Sequence, residues 1–230
     1  MLKVKIAICG LLMLLLSTKV YSDGFEAWDF KPINGSLQDT IAWFDEAKAV
    51  HERLGGSVEY WQHDVMGNNV VSYVIRFDTG ENWASFKDKL SEDDAWQSWI
   101  NANYATFSSH LVESFYLGNV FNPNATSSVW EDINIVYFSA WEAADGKTTA
   151  DLLTSMQTSA SIQDKFDLNP MVYSAGLGVT YFITGAASWS EWQTNVTKRN
   201  ESKEWVDYWS AAGRDPAGEF VQQATSVRIQ

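Results

Sequence analysis

The chain has 230 residues, of which 46% are hydrophobic, 20% charged and 14% aromatic, a globular composition and not a disordered one. Sixteen Lys and Arg against 29 Asp and Glu give a formal charge of −13, which disfavours nucleic acid or anionic lipid as a partner. A single cysteine excludes zinc ribbons, iron–sulfur clusters and disulfide frameworks.

Residues 1–22 read as a secretory signal peptide. Lys3 and Lys5 precede a nearly unbroken apolar run from Ile6 to Leu16, and the segment closes on Val20, Tyr21 and Ser22. The run is shorter than the ~20 residues that span a bilayer. Cleavage removes Lys3, Lys5, Lys19 and Cys9, leaving a mature chain that is more acidic still and depends on its core for stability. The expected location is secreted or periplasmic, with no membrane attachment after cleavage.

A first unit is expected over residues 23–118. It starts extended at 25–31. Over 36–54, Trp43, Phe44, Ala47, Val50 and Leu54 share one helical stripe, which Gly55 and Gly56 end. Residues 57–65 and 70–77 predict strands joined by a hairpin turn at Gly67, Asn68 and Asn69. Trp83, Phe86 and Leu90 then step by three and four, a helical spacing. Ser91 to Asp94 reads as a variant capping box that restarts the helix through Trp96, Trp99 and Ile100. A last strand covers 111–117, and residues 119–128, rich in Asn, Ser and Thr, read as a linker.

A second unit over 129–230 repeats the order: strand at 129–140, helix at 148–166, strands at 171–173 and 179–184, a broken helix at 190–212 and a strand at 220–229. Ser72 to Phe77 aligns with Thr180 to Gly185, which makes Tyr73 and Tyr181 equivalent. Trp83, Phe86 and Leu90 align with Trp189, Trp192 and Val196. Trp96, Trp99 and Ile100 align with Trp205, Tyr208 and Trp209 once three extra residues are allowed in the second break. The expected fold is therefore α+β, with two tandem ferredoxin-like β-α-β-β-α-β repeats. Residues 70–77 and 133–138 are apolar at nearly every position, as in strands covered on both faces. The repeats are thus expected to pack sheet to sheet as an intramolecular pseudo-dimer, monomeric overall.

The doubled unit, with aromatic second helices broken by a short polar insert, resembles the dimeric α+β barrel superfamily, which includes antibiotic-biosynthesis-monooxygenase-like proteins. The resemblance covers residues 24–230 and rests on element order, length and duplication. It implies a ligand cleft between sheet and helices in each unit, and often a cofactor-independent oxygenase or a haem-handling site. It carries no motif from which catalytic residues can be transferred.

The residues themselves nominate six positions. His51 lies within the apolar face of the first helix near Phe44, as a general base or haem ligand or as a structural histidine. Trp61 and His63 share a strand face with Glu59 by alternation. Tyr73, Arg76 and Tyr181 complete the candidate ligand-binding set. The helical tryptophans fit core packing, whereas Trp28, Trp61, Trp130 and Trp141 stand outside that spacing and fit exposed stacking. No metal centre and no cofactor are expected. Two functions remain open: a binding protein for a small apolar or aromatic ligand, or a cofactor-independent monooxygenase-like enzyme acting on an aromatic compound.

Overall fold

A computed structural model describes residues 23–63, 69–121, 130–174 and 178–229. The expected signal segment, most of the 67–69 turn and most of the linker lie outside them.

The chain runs β1 (Gly24–Phe30), α1 (Leu37–Arg53), β2 (Ser57–His63), β3 (Val71–Phe77), α2 (Gly80–Glu92), α3 (Asp94–His110) and β4 (Leu111–Phe121). It then runs β5 (Ile135–Ala143), α4 (Thr149–Asp164), β6 (Met171–Ser174), β7 (Thr180–Ala186), α5 (Trp189–Glu201), α6 (Lys203–Ala212) and β8 (Gly218–Arg228). The order of elements in the first half recurs in the second. β4 continues to Phe121, into the stretch expected to be linker, because its end pairs with β6.

Local chemistry explains where the helices begin. Ser36, Thr79, Asp93, Thr148, Ser188 and Ser202 each accept a hydrogen bond from the backbone N–H three residues on, relieving a donor that the first turn leaves free. At Thr148 the Asp151 carboxylate returns the bond, a complete capping box. Asp93, not Ser91, caps the restarted helix; the Ser91 hydroxyl turns back to the Asp88 carbonyl.

All strand pairs are antiparallel, and the sheet closes in the order β1-β3-β2-β8-β5-β7-β6-β4. The halves meet along strand edges, β2 with β8 and β4 with β6. One barrel therefore stands where two stacked sheets were expected. Closure pairs the edge N–H and C=O groups that separate sheets would leave open. Inside it lie Phe25, Trp61, Leu117, Ile133, Met171, Tyr173 and Ile183. The helices cover the outside, which accounts for strands apolar on both faces.

The helix caps also supply a register. Matching Thr79 with Ser188 and Asp93 with Ser202 brings the two halves into step with no extra residues in the break. Trp83 then corresponds to Trp192, Trp96 to Trp205, and Tyr73 to Phe182. The expected equivalence of Tyr73 and Tyr181 is wrong by one residue. Tyr73 packs among the helix-side residues of the first half, while Tyr181 packs against the barrel interior, the inversion that a one-residue strand slip produces.

Candidate functional site

The six nominated residues fall on two sides of the sheet. His51 and Tyr73 lie between sheet and helices in the first half, whereas Trp61, His63, Arg76 and Tyr181 face the barrel interior. Alternation along β3 makes the division: Ser72, Val74 and Arg76 point inward, and Tyr73, Ile75 and Phe77 outward.

His51 has no exposed surface. Its Nδ1 shares a 2.7 Å hydrogen bond with the Tyr73 hydroxyl, and Trp28, Phe86 and Trp96 surround the ring. Burial, with the Lys87 charge nearby, drops the imidazole pKa to about 3, and burial raises that of Tyr73. The pair is neutral at ordinary pH. It is fully buried and lines neither the interior cavity nor the cleft described below.

The barrel interior holds polar groups that are mostly bonded to one another, with Trp130 Nε1 and Arg228 Nε buried and unpartnered. Glu59 accepts from Trp61 Nε1 at 3.0 Å, Arg76 Nε at 2.9 Å and Arg228 Nη2 at 3.1 Å. The Arg76 guanidinium also lies 3.4 Å from the Trp130 ring centroid. Tyr181 stacks on Phe115. Ser72 Oγ donates to Asp29 Oδ1 at 2.6 Å and lies 2.7 Å from His63 Nε2. With its one hydrogen given to Asp29, the serine oxygen accepts from the imidazole, so His63 is not placed to deprotonate Ser72. Burial raises the Asp29 pKa and lowers that of His63, and each opposes the other's shift. The cavity among these groups measures only about 70 Å³.

The large cavity lies elsewhere. About 750 Å³ opens between the second half's strands and α4, α5 and α6, within the size range of small-molecule sites. None of the six nominated residues lines it. Its walls are aromatic and apolar, with Trp141, Phe182, Trp192, Trp205, Trp209 and Phe220 prominent and with Leu152 and Met156 at its floor. Trp209 and Phe220, 46% and 51% exposed, stand at its open edge. The tryptophans expected at exposed stacking positions are instead buried or half-buried, and two assigned to the core, Trp189 and Trp209, are exposed.

Register shows how the space arises. In the first half, Trp28 on β1 sits opposite Tyr73; on β5 the residue opposite Phe182 is Ser139. Counted from the caps Ser36 and Thr148, Trp43 corresponds to Ser155, Ala47 to Ser159 and His51 to Gln163. Counted from Thr79 and Ser188, Ile75 corresponds to Thr184. Phe107 of α3, packed on Trp28, Phe30 and Trp43, has no helical counterpart, because α6 has 10 residues where α3 has 17. Pro216 stands at that position and cannot continue a helix. Two indoles and a phenyl ring are thus missing from the second half, and the cleft is what remains.

Several polar groups face this space. Tyr137 donates to Gln223 Oε1 at 2.6 Å, and the Ser155 and Tyr208 hydroxyls lie 3.0 Å apart. Arg199 Nη1 donates to Gln163 Oε1 at 2.6 Å, and its guanidinium sits 4.3 Å over the Trp205 ring. Trp192 Nε1 is buried on the wall without an acceptor. A histidine- or cysteine-ligated haem does not fit. Among the described residues no histidine or cysteine lines the cleft, and His51, although its Nε2 has no partner, is fully buried with Trp28, Phe86 and Trp96 packed around its ring.

No protein-family model matches the chain, and no curated protein matches it in sequence. Solved structures do match it in fold. A candidate monooxygenase from Lactobacillus acidophilus is 11% identical with a TM-score of 0.56, over 91% of this chain and 95% of that one. An anthrone oxidase-like protein is 10% identical with a TM-score of 0.54, over 91% and 92%. A mutant chlorite dismutase from Candidatus Nitrospira defluvii, solved with cyanide, is 10% identical with a TM-score of 0.51, over 93% and 92%. At such identities the likeness is one of fold.

Proposed function

We propose that the chain binds a small apolar or aromatic molecule in the cleft of its second half. The carrying observation is the 750 Å³ aromatic-walled space at positions that the first half fills with Trp28, Trp43 and Phe107. Burying an aromatic ligand there removes apolar surface from water at the cleft wall and at the exposed rim, worth about 25 cal/mol per Å² before the costs of association. The repeated element order and common caps support a tandem duplication whose halves act as an intramolecular pseudo-dimer, one retaining a cleft and the other filled. The leader-like residues 1–22 support export to the periplasm or the exterior.

The test uses the neutral fluorescent probe N-phenyl-1-naphthylamine. It should bind the wild-type chain at one site and fail to bind Ser155→Trp, which restores the indole of the first half. Undiminished binding by a folded Ser155→Trp protein contradicts the assignment. Native mass spectrometry of protein purified from its source should show a retained aromatic molecule of matching mass.

A second reading is favoured by the fold neighbours, among them the candidate monooxygenase and the anthrone oxidase-like protein. On it the bound aromatic compound is oxidised by dioxygen without a cofactor. Oxygen uptake with anthrone as probe, present in wild type and absent in Ser155→Trp, would support it. Binding without uptake leaves the protein a binder.

A further inference from the structure

Arg199 is the one charged residue among the described residues lining the large cleft. In a chain of net charge −13 this is an unusual place for an arginine without a carboxylate. Among the described residues its hydrogen-bond partners are neutral amides, Gln163 Oε1 at 2.6 Å and Asn200 Oδ1, which accepts from Nε at 3.2 Å and from Nη2 at 3.0 Å. Three of the five guanidinium N–H groups are thereby used, leaving one on each terminal nitrogen.

The surroundings hold the group in place without neutralising it. Gln163, 3% exposed, is itself fixed through its Nε2 to Ser159 Oγ at 3.2 Å, and the Trp205 ring supports the guanidinium face. Burial pulls the Arg199 pKa down, as happens to a cation lacking counter-charge, although the Tyr137 hydroxyl nearby works against it. At the corresponding position of the filled half stands Leu90, which packs in an apolar cluster. The charge therefore accompanies the cleft and not the fold.

From these contacts we infer that Arg199 anchors a carboxylate carried by the ligand, so that the site takes aromatic carboxylates in preference to neutral aromatics. This rests on the cleft reading above and adds the chemical class. The two remaining N–H groups meet a carboxylate as charge-assisted hydrogen bonds, while the ring lies against Trp205 and Phe182. Such bonds are roughly twice as strong as neutral ones, so discrimination between acid and amide comes from this contact alone.

Isothermal titration of the full chain with 2-naphthoate and its neutral isostere naphthalene-2-carboxamide tests the inference. Wild type should bind naphthoate about tenfold or more tightly than the carboxamide. Arg199→Gln should weaken naphthoate alone and erase the difference, and Arg199→Lys should keep part of it. Equal affinities in wild type overturn the anchor and leave the cleft reading standing. A difference that survives in folded Arg199→Gln puts the anion elsewhere and also overturns it. Binding of neither compound overturns both readings. Equal wild-type affinities overturn the anchor even if the variants fail to fold, and Arg199→Lys, which keeps the charge, supplies a second folded variant for locating a preference that is found.

Discussion

The two halves use the same order of elements and cap their three helices at corresponding positions, yet one encloses a solid aromatic core and the other an open cleft. In the first, Trp43 contacts Phe30, Phe44, Trp99 and Phe107, and Trp28 stacks between Tyr73 and Trp96. In the second, Ser139 and Ser155 stand at those places, and α6 stops short. The difference shows that this scaffold is held by its barrel and helix registration. The space between sheet and helices is free to be filled for stability or left open for a ligand.

The strongest way to break the comparison is to make the open half resemble the filled one. Ser155→Trp, or Ser155→Trp with Ser139→Trp, should abolish probe binding altogether while circular dichroism shows the fold retained. The reverse exchange should be costly. Trp43→Ala removes an indole that is 8% exposed and hydrogen-bonded to Asn103, and should destabilise by about 3–5 kcal/mol in urea unfolding. A loss below ~1 kcal/mol would mean that the first-half core is not the packed counterpart described.

A pH-dependent effect, smaller than these over any single pH unit, also separates the halves. His51 has a folded pKa of about 3 against an ordinary value of 6.5, so between those values the unfolded chain binds a proton that the folded one does not. Its contribution to stability is complete above pH ~6.5 and is lost as pH falls toward 3, at about 1.4 kcal/mol per unit. His51→Gln, which copies Gln163, should flatten this part of the acid limb. An unchanged slope would show that His51 does not remain neutral in the fold. The least of these effects is the loss of acid-over-amide preference in Arg199→Gln, about tenfold in affinity.

Much of the architecture was legible because it is written in periodicity. The stripe of Trp43, Phe44, Ala47 and Val50 marked α1, and the doubled order of elements came from repeated spacing. The register of β7 was not legible. A strand covered on both faces carries no alternation to say which side is which, and two tyrosines one step apart in register invited a false match. The caps Thr79 and Ser188 were the available signal, since a helix start counts residues where an apolar strand does not. The cleft was hidden for another reason. A serine in a helix looks ordinary, and Ser155 reads as missing volume only when set beside Trp43. Histidines drew attention as chemically versatile residues, but His51 is enclosed and His63 is tied to Ser72.

The most direct measurement is a crystal structure of the mature chain grown with 2-naphthoate. The ligand should appear once, between β5, β7 and β8 and helices α4 to α6, with its ring against Trp205 and its carboxylate on Arg199. Density between β1 and β3 and helices α1 to α3, or within the barrel among Trp61, His63 and Arg76, would contradict the assignment of an open half and a filled one.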